Sequence, residues 1–321
     1  MTTDPIHVFA HQAMNTTFEV RIATTDGAYA RQAAQECFAE ITRAEGRLSR
    51  FDEASDIAAI NRLAPGELLA VDQDTVECLR LAFHLLHHTG GAFDPTVGQA
   101  VDLLKAGSAA SAAVEPGDHH ARRGRLLVAG DAAVVQVVDG PVRLDLGAIG
   151  KGFALDRCVQ ILDDWDVSRA LLTCGGGSTA VALDGPCPGR GWTIGLDQRE
   201  IALERRAISA SGHAVQGQHI VDPRTGREGN RWCRTWAIGD SGAASDAYST
   251  AWMNLELEAI QAVCASVPGL TGAVLPHEGA DLLIVGTPLA ENPEDVRPGP
   301  GPDASLTPVD GVYGIPRAPH P

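Results

Sequence analysis

The sequence predicts a globular protein of mixed α and β structure, on three observations. The chain has 321 residues, 44% hydrophobic and 21% charged, enough for one large or two ordinary domains with a real core. Two hydrophobic periods alternate along it: a period of two in Phe18, Val20 and Ile22, and a helical period in Ala30, Ala34, Cys37, Ile41, Ala44 and Leu48. Glycine and proline clusters punctuate the segments between, as turns require.

Residues 6–23 read as a β-segment carrying MNTTFEVRI. A helix follows over about 28–48, broken by LSRFDEASDIAAIN (48–61), in which Ser55 or Asp56 caps a short helix running to Asn61. The next helix starts at Asp74, where Asp-Thr-Val-Glu resembles a capping box, and stops at Gly90–Gly91. GGAFDPTVG (90–98) is a loop, and the Ala/Ser/Gly-rich stretch 105–121 reads as a mobile insertion. A hairpin over 126–138 turns at Gly130–Asp131 and leads into a strand at 142–146. That strand turns on Gly147 and Gly150 into a helix with Leu155, Cys158, Val159, Leu162 and Trp165 on one face. Further strands are expected at 169–177, 179–183, 191–196 and 206–209, helices at 244–254 and 256–266, and a closing hairpin from 273–275 and 281–285. From Pro288 onward prolines and glycines crowd a segment with little to bury, and 291–321 reads as a tail.

The formal net charge is −16, which disfavours a general nucleic-acid surface. No apolar run approaches a membrane span. The start, MTTDPIHVFAHQ, has neither a basic n-region nor an apolar h-region, and no lipobox is seen. Seven scattered cysteines with no C-x-x-C pair fit a reducing compartment better than a disulfide frame or a zinc site. The expectation is a cytoplasmic protein.

The chain is organised around LDLGAIGKGFALD (144–156). A helix N-terminus preceded by glycines offers free N–H groups and a partial positive charge, which suits a phosphate, and Lys151 adds a full charge there. The same residues also serve as an ordinary βα turn with a surface lysine. In SDAYSTA (245–251) a helix puts Asp246 and Thr250 on one face, so a carboxylate and a hydroxyl meet one hard cation such as Mg²⁺. An N-cap aspartate and a threonine bonding back one turn account for the same pattern. His219 in HIVDP is a candidate base with Asp222 nearby to orient it. In Ala92-Phe93-Asp94-Pro95 an acid and an aromatic stand on a stiff loop, and SASG (209–212) sets small residues where a ligand can approach or the chain simply turns.

Taken together and in this order, MNTTFEV, LSRFDEASDIAAIN, GGAFDPTVG, LDLGAIGKGFALD, ISASG, HIVDPRTG and SDAYSTA resemble the blocks of the FAD:protein FMN transferase family, also called ApbE. The likeness covers about Ile6 to Gly286, so that 1–290 would be the transferase domain. It implies an α+β fold of two intertwined αβ halves around one FAD cleft. It implies a Mg²⁺-dependent reaction that moves FMN from FAD to a Ser or Thr hydroxyl of an acceptor flavoprotein and releases AMP. By position, Met14 and Phe51 would flank the isoalloxazine, and Ala92, Phe93 and Asp94 would line the flavin or adenosine part of the cleft. Asp145 and Lys151 would touch FAD, and the Ala148 carbonyl, Asp246 and Thr250 would hold the metal. His219 would take the acceptor's proton. Two features depart from the pattern: only HAVQGQ links ISASG to His219, and Gly177 stands where Asn or Asp is common. FAD hydrolysis to FMN and AMP, or FAD binding without catalysis, are the alternative readings.

Overall fold

The computed structural model describes residues 4–105, 124–129, 132–212, 220–288 and 312–314. His219, the HAVQGQ link, the tip of the expected 126–138 hairpin and the expected insertion from residue 106 onward lie outside the described residues. Among those described, one nine-stranded sheet forms the frame. Its order is β1 (Ile6–Ala13), β2 (Thr16–Ala23), β6 (Ala170–Cys174), β7 (Thr179–Ala182), β10 (Arg206–Gly212), β13 (Arg234–Gly239), β14 (Thr271–Leu275), β15 (Leu283–Gly286) and β16 (Val312–Gly314). Every neighbour pair is antiparallel. The β16 strand comes from the proline- and glycine-rich region read as tail and pairs with β15. The fold is mixed α+β, as expected.

β1 and β2 are joined by Met14 and Asn15, with φ of 50° and 57°. Two left-handed residues are what a two-residue hairpin turn of this twist requires. The alternation of the strands then faces two cores. Leu172 of β6, Val181 of β7 and Ala207 of β10 turn to one side, with Phe18, Val20 and Ile22 of β2. Helix α1 (Gly27–Leu48) covers that side with Ala30, Ala34, Cys37 and Ile41, and helix α5 (Gly150–Asp164) with Leu155, Cys158 and Leu162. Leu171, Ala180, Ile208, Trp236 and Ile238 turn to the other side. There the small hairpin of β8 (Trp192–Leu196) and β9 (Arg199–Leu203) closes over them. A period-two pattern with both faces buried is why these strands read as nearly continuous apolar runs.

A third core lies beneath β13–β15. It gathers α2 (Asp56–Ile60), α3 (Gln73–His88), β5 (Val134–Asp139), α6 (Gly242–Trp252) and α7 (Leu257–Ser266). Strands β3 (Leu68–Ala70) and β4 (Arg125–Ala129) flank β5 in a separate sheet, and β11 (Val221–Asp222) pairs with β12 (Arg227–Glu228) in another. The expected hairpin is therefore present as the β4–β5 pair. The short helix α4 (Gly98–Lys105) follows the 90–98 loop.

Two local expectations are corrected. Residues 142–146 do not form a strand. Val142, Leu144 and Leu146 are buried in alternation, but the backbone bonds go to a side chain and loops. Asn61 accepts from Leu144 N at 2.6 Å and donates to Leu144 O at 3.0 Å. Asp145 N donates to Pro95 O at 2.7 Å, and Gly98 N to Arg143 O at 3.0 Å. The period was that of a buried extended segment, and a period alone does not name the partner. Helix α3 begins one residue earlier than expected, capped by Asp72, whose carboxylate accepts from Asp74 N at 2.9 Å. Glu77 does not close a capping box and instead pairs with Arg157.

Because Asn61 satisfies both polar groups of the buried Leu144, Asn61→Ala should lower unfolding free energy by about 1–3 kcal/mol, the cost of leaving such groups unpaired. Urea unfolding checks this, and an unchanged midpoint would show that the segment does not depend on Asn61.

Candidate active site

Lys151 opens the site. It is the second residue of α5, whose N-cap position is Ile149, a residue that offers no side-chain cap. The lysine folds back so that Nζ donates to Gly147 O at 2.8 Å and pairs with Asp246 Oδ2 at 3.4 Å. Asp246 is on α6 and only 5% exposed. Burial, the largest single influence, would lower the Lys151 pKa, but the Asp246 carboxylate together with other nearby groups, Asp145 among them, holds the ammonium above its ordinary value. Behind it the buried Cys174 thiol is pushed up to about 12 by desolvation, so it remains a neutral thiol and not a nucleophile.

Two glycines and one carboxylate bring the helices together. A Cβ on Gly152 would overlap the Gly242 carbonyl oxygen, and one on Gly242 would stand 2.8 Å from Val181 Cγ2 and 2.9 Å from Gly152 O. Asp156, one turn and a half beyond Lys151, caps α6 from the side. It accepts from Gly242 N at 2.7 Å, Ala243 N at 3.0 Å and Ser241 Oγ at 2.7 Å. A carboxylate at a helix N-terminus satisfies orphan donors and favours the dipole. Asp246 and Thr250 then lie farther along α6 on the side toward Lys151 and the sheet.

The donor set around Asp246 is oxygen-rich. Oδ1 accepts from Ser209 Oγ at 3.2 Å, whereas Oδ2 is buried without a hydrogen-bond partner. Thr250 Oγ1 donates to Asp246 O at 3.2 Å and is 3.3 Å from Ser211 Oγ. Carboxylate and hydroxyl oxygens, with one carboxylate oxygen held only by its ion pair to Lys151, fit a hard divalent cation. Among the described residues no three His, Cys, Asp or Glu side chains converge as a metal cage, so any ion held here would keep other ligands. Ala148, half-buried, belongs to the turn that carries Gly147.

From the same turn a polar chain runs outward. Asp145 Oδ1 accepts from Gly147 N at 2.9 Å, and its Oδ2 lies 3.0 Å from Arg50 Nε. The Arg50 guanidinium also forks onto Asp102 at 2.7 and 3.1 Å and sits 4.5 Å from the centre of the Phe51 ring. Phe51 is 72% exposed, an aromatic face held on a cation but otherwise uncovered. Ala92, Phe93 and Asp94 are buried. Asp94 Oδ1 accepts from the amide and the hydroxyl of Thr96, both at 2.7 Å, which fixes the loop as an Asx turn. Asn254, just beyond α6, donates to Ala92 O at 3.0 Å and Val221 O at 3.3 Å, tying that loop to the strand that follows His219. Met14 lies at the hairpin turn, its N–H donating to Glu45 Oε1 at 2.7 Å.

Residues 14–275 match the sequence pattern of the ApbE family. The chain belongs to the ApbE family. A FAD:protein FMN transferase of Treponema pallidum is 26% identical over 274 residues, covering 74% of this chain and 75% of its own length. One from Klebsiella pneumoniae is 24% identical over 302 residues, covering 84% and 83%. The fold is that of the Pseudomonas stutzeri flavinyl transferase ApbE, with a TM-score of 0.72 at 22% identity over 89% of this chain and 97% of that one. It is also that of the ApbE protein of Thermotoga maritima, with a TM-score of 0.71 at 24% identity over 84% and 94%.

In this ApbE chain the structure brings Lys151, Asp246 and Thr250 together, and places Asp145 one link away through Gly147. Arg50, Asp156 and Asn254 escaped the sequence reading, and Ser209 entered it only among the small residues of SASG (209–212). Each acts through a partner at least 37 residues away, and only the ALD ending of the central motif and the Arg before Phe51 hinted at two of them. Gly177 has a conformational reason: with φ of 88°, following φ of 64° and 65° at Gly175 and Gly176, it closes a left-handed turn that penalises any Cβ.

The helix crossing gives a direct test. Gly152→Ala should cost about 1–3 kcal/mol through overpacking against Gly242, seen as a lower urea midpoint. A midpoint equal to the wild type would show that α5 and α6 do not rely on that contact.

Proposed function

We propose that this chain is a FAD:protein FMN transferase, moving FMN from FAD to a Ser or Thr hydroxyl of an acceptor flavoprotein with release of AMP, dependent on Mg²⁺. The observation that carries the reading is the Lys151–Asp246 pair, 3.4 Å apart on two helices, with one Asp246 oxygen buried and lacking a hydrogen-bond partner. The relatives named FAD:protein FMN transferase support it over most of the chain.

In this reading Asp246, Thr250 and the Ala148 carbonyl would hold Mg²⁺, which when bound neutralises pyrophosphate oxygens. Lys151, kept charged, binds a pyrophosphate oxygen at the uncapped mouth of α5. Asp145, braced by Arg50, contacts FAD. Met14 and Phe51 flank the isoalloxazine, and the 92–94 loop lines the cleft. The acceptor oxygen attacks the FMN phosphorus, the bond to the AMP phosphate breaks, and the acceptor proton passes to His219. The seven cysteines are free thiols, which supports a cytoplasmic setting. Among the described residues no helix is long and apolar enough to cross a membrane.

The experiment is incubation with FAD, Mg²⁺ and a candidate acceptor, followed by intact mass and AMP assay. An acceptor heavier by one FMN, with matching AMP, is expected. AMP without an adduct would make the protein a FAD pyrophosphatase, and neither product would leave it a flavin binder. Asp246→Ala should abolish Mg²⁺-dependent turnover, and full activity at limiting Mg²⁺ would remove it from the ligand set. His219→Ala should slow transfer by ~10²–10⁴-fold, the range of a lost general base, with FAD affinity little changed. Wild-type transfer rates in the variant from roughly pH 5.5 to 9, a range that brackets a histidine's ordinary pKa of about 6.5, would exclude it as the base.

A further inference from the structure

We propose that Ser209 is a positioning residue for Asp246: its hydroxyl fixes Oδ1, so that Oδ2 is the oxygen offered to the hard cation. The inference rests on the Mg²⁺-dependent reading above.

Ser209 and Thr179 face each other across the β7–β10 ladder, as directly opposed residues, and neither has any solvent exposure. Their hydroxyl oxygens are 2.9 Å apart, and Ser209 Oγ is 3.2 Å from Asp246 Oδ1. An ionised carboxylate only accepts, so the proton on that bond belongs to Ser209. Ser209 then has lone pairs to accept the Thr179 hydroxyl, and the row runs in one direction, Thr179 to Ser209 to Asp246. The Ser178 carbonyl at 3.3 Å competes for the Ser209 proton, but a charged acceptor wins over a neutral one. On the other side of the carboxylate, Oδ2 accepts no well-aligned hydrogen bond, and its one partner is the Lys151 ammonium at 3.4 Å.

The two oxygens are therefore differentiated by the fold. Sheet register sets the hydroxyl row that holds one, and the α5–α6 crossing sets the cationic side of the other. Outer partners that orient a ligating carboxylate typically govern metal affinity as strongly as some ligands do. A residue that only filled space in the sheet would not.

Mn²⁺ is the probe, its free concentration read by electron paramagnetic resonance during titration of the full chain, with and without FAD. Ser209→Ala is expected to weaken Mn²⁺ binding by ~10–100-fold. Thr179→Val should weaken it less, since Ser209 keeps its proton, and Ser209→Thr should bind close to wild type because the hydroxyl is retained. Urea midpoints for the same proteins separate folding from binding. A Ser209→Ala protein that binds Mn²⁺ as the wild type does, whatever its midpoint, overturns the proposal. A wild type that binds no Mn²⁺ in either condition overturns it together with the metal reading beneath it.

Discussion

The structure depends on how closely α5 and α6 cross. Gly152 and Gly242 let the two backbones touch where any Cβ would force them apart, and Asp156 fastens the crossing by capping α6 from α5. Lys151 and Asp246 owe their 3.4 Å separation to that contact. A lysine at the mouth of one helix and an aspartate in the second turn of another have no other reason to meet, since the chain between them runs, among the described residues, through four strands of the large sheet and back. Sheet, glycines and cap form one positioning device with the ion pair as its product.

That device answers an electrostatic difficulty. A chain with net charge −16 repels a pyrophosphate over most of its surface, and beyond roughly 8–10 Å such repulsion is screened by salt at physiological strength. What counts is the charge close to the ligand. Burial works against the Lys151 ammonium, but Asp246 opposite it, together with other groups such as Asp145, keeps its pKa above the ordinary value, and the first turn of α5 adds its own N–H groups. The Arg50 guanidinium, spanning Asp145 and Asp102, stiffens the turn that carries Gly147 without adding net positive charge. The local field favours an anion chiefly through Lys151, the helix end and whatever cation the Asp246 oxygens hold.

Much of this was legible in the order of residues, and the failures share a cause. Helix α1 showed itself by Ala30, Ala34, Cys37 and Ile41, and the first hairpin by alternation in Phe18, Val20 and Ile22, because both signals are local. The Gly-Lys-Gly of the central motif pointed to a helix mouth for the same reason. The reading failed where the partner is remote. Val142 to Leu146 carry a strand's alternation, yet Asn61, 83 residues earlier, makes the bonds that a neighbouring strand would have made. Ser209 read as the end of a strand and as one of the small residues in SASG that a ligand could approach or that simply turn, and it is the acid's hydrogen-bond donor across 37 residues. Strand β13 went unread because its central residues, Thr235 to Ile238, are buried on both faces and no polar alternation marks it.

Crystals grown with FAD and Mn²⁺ would test the central claim most directly, through an anomalous difference map. The account predicts a manganese peak against Asp246 Oδ2 and Thr250, and pyrophosphate density within hydrogen-bond reach of Lys151 Nζ. A peak elsewhere, or a pyrophosphate seated away from the α5–α6 crossing, would contradict it.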